Sequence, residues 1–241
     1  LCYHAGSPNL LKKGDRRFMN FVQWLNSLDK LLYELMSWLV FFPVTLWRIA
    51  RHPLATMSYA EDQLKLAPER QFRGTVNPPI TLVLTLVLSQ AIDLSLHDVN
   101  PIVASKQGLA GLVNDNTTLL SLRLVLFGVI PLALATHKVR RSGVPLDRDS
   151  LQAPFYAQCF AIAPFALAIS IGLTLAMQAN PLLHVTGVGA ACLAVVYYSI
   201  VETRWFHREL RQSYTRSVLD VAICTIESVA FAIAFALLFT L

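Results

Sequence analysis

The chain has 241 residues, of which 55% are hydrophobic and 15% charged, with a mean hydropathy of +0.51. A water-soluble domain needs a charged skin that this composition cannot supply, and disordered tails, acidic solvating segments and collagenous or low-complexity sequence are excluded as well. The composition is that of a polytopic, all-α membrane protein.

Residues 1–18, LCYHAGSPNLLKKGDRRF, show no apolar core of the kind a signal sequence needs and do not continue the helical pattern that follows. One reading makes Met19 the natural start and residues 1–18 a non-native leader. From residue 19 to 50 the pattern changes. Phe21, Leu25, Leu28, Leu32, Leu35 and Leu39 recur at three- and four-residue steps, with Gln23, Asn26, Asp29, Lys30 and Glu34 mostly between them. This is an amphipathic helix. Its second half, about 31–50, is apolar nearly all round. A crossing there would put Lys12, Lys13, Arg16 and Arg17 on the opposite side from Arg48, Arg51, Lys65, Arg70 and Arg73, so an interfacial or shallow re-entrant helix is expected in place of a span.

Residues 51–78 are polar, with Pro53, Pro68 and Gly74, and read as a cytoplasmic connector with one short helix over Ser58 to Leu66. This segment is expected to be the main soluble surface. Residues 79–241 then form a membrane domain. Five apolar runs, 79–96, 118–137, 152–177, 184–201 and 217–241, each have the 17 to 25 residues a helix needs to cross about 30 Å of hydrocarbon. Pro131 and Pro164 are expected to kink the second and third.

Charge orients the spans. Ten of the twenty Lys and Arg precede the first span, four lie in 138–148 and four in 204–216, whereas only Lys106 lies in the first intervening loop and Arg123 inside a span. Five crossings from a cytoplasmic N-terminus to an external C-terminus put eighteen of the twenty on one face, as the positive-inside rule requires. The expected location is a bacterial cytoplasmic (inner) membrane. The net charge of +5 is spread over three flanking segments with acids interleaved, so it implies anionic lipid headgroups as partners and no nucleic acid.

Catalytic motifs are missing. Cys2, Cys159, Cys192 and Cys224 form no CxxC pair, the six His do not pair on a helical face, and no GxSxG, P-loop or GxGxxG occurs. No catalytic residue, metal site or cofactor is assigned, and a non-enzymatic protein is expected. An intramembrane hydrolase would have to use Glu202, Arg204 and His207 without a second acid and His set at membrane depth.

The candidate residues are the polar groups where lipid is expected. Asp93 and Arg123 fall at matching depth on antiparallel spans, which predicts a salt bridge across the hairpin or snorkelling to the outer interface. Asp220, one turn into the last span, faces the basic side near Arg204 or Arg216. Glu227 is close to the midpoint of that span and, with Asp220, forms an i, i+7 pair. Tyr156, Tyr197 and Tyr198 are expected to supply hydrogen bonds to this network. The alternatives are interhelical glue and a proton or ion relay. Gly187, Ala190, Ala191 and Ala194 predict close packing of the fourth span.

This layout resembles the Yip1 family of integral membrane proteins. The resemblance rests on the basic aromatic stretch Leu46, Trp47, Arg48, His52 and Pro53, on Tyr156 and Pro164 in a Y-x7-P arrangement, and on the charged aromatic exit Tyr197, Tyr198, Glu202, Trp205 and His207. It covers residues 46 to 241, and the acidic-aromatic and glycine-tyrosine motifs of the eukaryotic trafficking members do not occur here. It implies a five-span membrane domain. The expected role is a non-enzymatic scaffold or interaction partner, with a membrane-protein partner or a second copy of the chain. The alternative is a small transporter or channel component using Glu227 and Asp220 in a polar crevice.

Overall fold

The structure is a computed structural model that describes residues 11–96 and 116–238. Seven α-helices make up the described residues: α1 (Leu11–Arg51), α2 (Pro53–Gln63), α3 (Pro78–Leu96), α4 (Asn116–Arg141), α5 (Arg148–Ala176), α6 (Pro181–Glu209) and α7 (Tyr214–Leu238), with a 3-10 turn at Pro68–Arg70. The leader's residues 1–10, with Cys2 and His4, and the loop holding His97 and Lys106 lie outside the described residues.

The fold is all-α, and α3, α5 and α6 are each long and apolar enough to cross a membrane. Helix α4 covers the second apolar run, and α7 covers the described residues of the fifth, to Leu238. Successive helices from α3 to α7 alternate in direction. Asp93 near the end of α3 meets Arg123 near the start of α4 and Thr174 near the end of α5, whereas Arg141 at the end of α4 meets Asp220 near the start of α7. The bundle therefore has a basic end, where α4 and α6 finish and α5 and α7 begin, and an opposite end.

Helix α5 is central and packs against α2, α3, α4 and α6. Ala157 to Ala163 are buried without a break, because neighbours surround this stretch on every side. The largest buried side chains, Trp205, Phe160, Phe206, Ile49, Met57 and Leu86, gather in the same region. An Asp147–Ser150 capping box starts α5: the Ser150 amide donates to Asp147 Oδ1 at 2.7 Å and the Asp147 amide donates to Ser150 Oγ at 3.0 Å. The helix runs without a break through Pro154 and Pro164, as α4 does through Pro131.

Helix α3 turns its polar residues inward. It buries Thr81, Thr85, Ser89, Gln90 and Asp93 beside Leu82 and Leu86 and exposes Val83, Val87, Leu88 and Leu94. The buried hydroxyls close on their own helix: Thr85 Oγ1 donates to the Thr81 carbonyl and Ser89 Oγ to the Leu86 carbonyl, both at 2.8 Å. Close packing between α5 and α6 rests on Gly172 and Gly187. A Cβ added to Gly187 would lie 2.3 Å from the Ala176 nitrogen, and one added to Gly172 would lie 2.8 Å from the Ala191 nitrogen. Only hydrogen fits there.

Three expectations need correction. Helix α1 starts at Leu11, so residues 11–18 belong to it; Lys and Arg are strong helix formers, and a lack of apolar periodicity is not a stop signal. The short connector helix is Pro53–Gln63, starting five residues and ending three residues earlier than expected, because Pro53 at the first helical position favours a start. The connector itself is not a free soluble surface. Met57, Ala60 and Phe72 are buried, and the Phe72 ring packs on Tyr59, Tyr156 and Phe160 at 6.3, 6.1 and 6.5 Å between centroids. Phe72 takes φ 51, and its amide is held by Gln63 Oε1 at 2.9 Å, so a bulky ring is aimed inward from a left-handed backbone.

Candidate functional site

The polar groups of the bundle fall into two sets, one at each end. At the end opposite the basic one, Arg123 Nη2 donates to Asp93 Oδ2 at 3.0 Å and Thr174 Oγ1 donates to Asp93 Oδ1 at 3.0 Å. Asp93 thus ties α3, α4 and α5 together. Asp93 and Arg123, expected at matching depth from sequence spacing, are in contact across the antiparallel α3 and α4; Thr174 has no charge to flag it.

At the basic end the network is larger. Lys138, on the last turn of α4, donates to Glu61 Oε1 of α2 at 2.6 Å and to Glu209 Oε2 of α6 at 2.9 Å, with its Nζ 4.7 Å from the centroid of the Trp205 ring. Burial pushes the Glu61 carboxyl up from its ordinary range, and Lys138 opposes that shift. Beneath this cluster, Gln158 Nε2 of α5 donates to Glu202 Oε2 of α6 at 2.9 Å, with both residues fully buried. Gln158 Oε1, Glu202 Oε1, Tyr198 Oη and Trp205 Nε1 are buried with no hydrogen bond among the described residues. This is a compact island of donors and acceptors inside an otherwise apolar core.

A third group at the same end centres on Asp220. Arg141 Nη2 lies 2.7 Å and His137 Nε2 3.2 Å from Asp220 Oδ1, and Gln212 Nε2 donates to Asp220 Oδ2 at 2.8 Å. The turn between α6 and α7 positions Gln212: Arg211 takes φ 47 and reverses the chain, and His207, stacked on Tyr214 at 3.8 Å, makes a hydrogen bond to the Gln212 carbonyl. Asp220 meets Arg141, from the end of α4, in place of the expected Arg204 or Arg216. Arg141 lies in the last turn of α4, where a positive charge also complements the helix dipole.

The remaining sequence candidates disperse. Glu227 is exposed on α7, away from the buried Ser217, Asp220, Cys224 and Ser228 of that helix. Tyr156 packs on Phe72 and Phe155. Tyr197 Oη donates to the Ala50 carbonyl at 2.7 Å, pinning the end of α1 to α6. Tyr198 is buried and stacked on Phe165 at 4.6 Å, and of the three tyrosines it alone borders the Glu202 island. The expected single network of Asp220, Glu227 and three tyrosines is therefore distributed over separate places.

Sequence reasoning passed over Gln158, Glu202, Lys138 and Arg141 as network members. A usable signal was present for Glu202: the buried positions Gly187, Ala191, Ala194, Tyr198 and Val201 extend at the same period to Glu202 and Trp205. Chemically, these arrangements pair charges and hold helices together. Among the described residues no three of His, Cys, Asp and Glu converge in a geometry able to hold a metal ion. Comparison with protein-family models, with curated proteins and with solved structures finds no match.

Proposed function

We propose that the chain is a five-span integral membrane protein of Yip1-like architecture, a non-enzymatic scaffold or interaction partner in a bacterial cytoplasmic membrane, with the basic end cytoplasmic and the C-terminus outside. The observation that carries this reading is the inward-facing polar set of α3, which buries hydroxyls and exposes Val83, Val87, Leu88 and Leu94. Such a face suits hydrocarbon and is unfavourable in water. The outward faces of α6 and α7 agree, with Leu182, Val185, Leu193, Val196, Leu219 and Ile226 all more than half exposed.

Helix α1 fits an interfacial role. Leu31, Leu32, Met36, Leu39 and Val40 are exposed while Thr45 and Ile49 near its end are buried, so the helix is anchored at one end and presents apolar residues along the rest.

A scaffold is favoured over a transporter because Asp220 and Glu227 do not share a polar crevice. Asp220 is held by Arg141 and Gln212, and Glu227 is exposed elsewhere on α7. The topology is tested by replacing Lys106, Asn180, Arg140 and Arg211 singly with Cys and labelling intact cells with a membrane-impermeant thiol reagent, with the unsubstituted chain as blank. Labelling of the first two and protection of the last two is expected; the reverse pattern overturns the orientation. Proton- or cation-driven flux in proteoliposomes that is abolished by Glu227→Gln would overturn the scaffold.

A further inference from the structure

Where α1 ends and α2 begins, the chain leans on α6 and encloses a cavity of about 500 Å³. The Tyr197 hydroxyl fixes this junction through the Ala50 carbonyl. Arg51 and His52 line one wall, Arg204 and Arg208 line the other, and no acidic residue contributes to the lining. Among the described residues none of the three arginines is in a salt bridge; of the acids nearby in sequence, Glu209 and Glu61 pair with Lys138 and Glu202 is fully buried against Gln158. Arg51 rests its guanidinium 5.9 Å from the Trp47 ring centroid, which holds the charge at the rim without neutralising it.

Arg204 and Ile200 are shared with a second, apolar groove of about 620 Å³ between α6 and α7, lined also by Val195, Val196 and Val218. The two features are thus adjacent: a cationic cradle at the basic end and an aliphatic groove on the exposed side of the bundle meet along Ile200 and Arg204. A free anion would satisfy the cradle and leave the aliphatic groove without a partner. A neutral lipid would do the reverse.

We propose that this composite groove binds one anionic phospholipid, its headgroup phosphate held by Arg51, Arg204 and Arg208 and an acyl chain lying along Val195, Val196 and Val218. The proposal rests on the reading of the basic end as a membrane face, because the cradle must be at headgroup depth for the chain to enter the aliphatic groove. Three uncompensated guanidiniums in one cavity match a phosphate diester through charge-assisted hydrogen bonds.

The test is native mass spectrometry of the full chain in detergent, titrated with phosphatidylglycerol and, separately, with phosphatidylcholine of the same acyl composition. A first phosphatidylglycerol is expected to bind at least about tenfold more tightly than phosphatidylcholine, and the Arg204→Gln/Arg208→Gln variant is expected to lose that preference. Arg140→Gln/Arg148→Gln removes the same charge elsewhere at the basic end and is expected to keep it. Equal loss in both variants would mean diffuse surface attraction and overturn the site. Val196→Trp fills the aliphatic groove without touching charge and is expected to weaken phosphatidylglycerol binding; unchanged binding overturns the acyl-chain assignment. Displacement of the lipid by millimolar inorganic phosphate would show a soluble-anion site and overturn the lipid assignment. Since binding is read in detergent, it is independent of the thiol labelling that tests orientation, so either result can fail alone.

Discussion

Gln158 donates its side-chain amide to Glu202 at 2.9 Å in the interior of the bundle, where neither residue is exposed. This one contact joins the two most intimately packed helices, α5 and α6, at a depth where apolar side chains would pack without constraint. A buried hydrogen bond to a carboxyl acceptor is costly to break from one side, because the partner is left without its donor. Gln158→Leu is therefore expected to destabilise the protein by about 2 kcal/mol. The double variant Gln158→Leu/Glu202→Leu is expected to recover much of that loss. Thermal unfolding in detergent checks both, and a double variant as unstable as the sum of the singles would show that the two side chains do not act together.

The α5–α6 approach at Gly172 and Gly187 depends on backbone atoms that cannot move aside. Gly187→Ala places a methyl group 2.3 Å from the Ala176 nitrogen, which forces the helices apart and is expected to cost about 1–3 kcal/mol. Gly189, two residues on, has nothing within 4 Å of an added Cβ, so Gly189→Ala is expected to be neutral or slightly stabilising through helix propensity. Their thermal midpoints should differ clearly, with Gly187→Ala the lower.

Asp220 and Glu227 are one heptad apart on α7 yet differ in surroundings. Asp220→Asn leaves Arg141 without its carboxylate partner and is expected to loosen α7 from α4, lowering the thermal midpoint and raising amide exchange in the first turns of α7. Glu227→Gln is expected to change neither measurement, since Glu227 is exposed. A loss of stability in Glu227→Gln equal to that of Asp220→Asn would contradict this arrangement.

The start of α5 should respond to pH. Amide donation from Ser150 holds the Asp147 carboxyl below its ordinary value of 3.8. A depressed carboxyl favours the folded state wherever it is ionised, so this contribution is complete above pH 3.8 and fades as pH falls through the lower folded value. Amide exchange at Ser150 and Leu151 is expected to be slower in the wild type than in Asp147→Ala at pH 6. That difference is expected to narrow as the sample is acidified below 3.8. A difference that persists unchanged at pH 2 would assign the protection to something other than the cap.

Much of the helical architecture was readable without coordinates because it depends on periodicity and length alone. Apolar runs of about 20 residues must be helical where no water can satisfy the backbone, and among the described residues a helix lies over each of the five runs, the last as far as Leu238. The Asp93–Arg123 contact was readable too, since antiparallel direction and residue count set depth. Helix α1 exceeded expectation at its N-terminus because polar helix formers leave no periodic trace. The connector was misjudged for a related reason: Phe72 is one aromatic in a polar stretch, and only the left-handed turn at that residue turns its ring into the core.

What the amino-acid sequence determined by itself was the set of helices, their alternation and the side on which the basic residues collect, all consequences of local composition and of the solvent each segment can tolerate. Tertiary structure alone decided which polar groups share an environment. Glu202 and Gln158 are separated by 44 residues, and Lys138 is 77 residues from Glu61. Whether such groups meet depends on helix rotation and on the close approach at Gly172 and Gly187. These are set by packing between neighbours, so the same acid reads as a span exit in the chain and as a buried hydrogen-bond acceptor in the bundle.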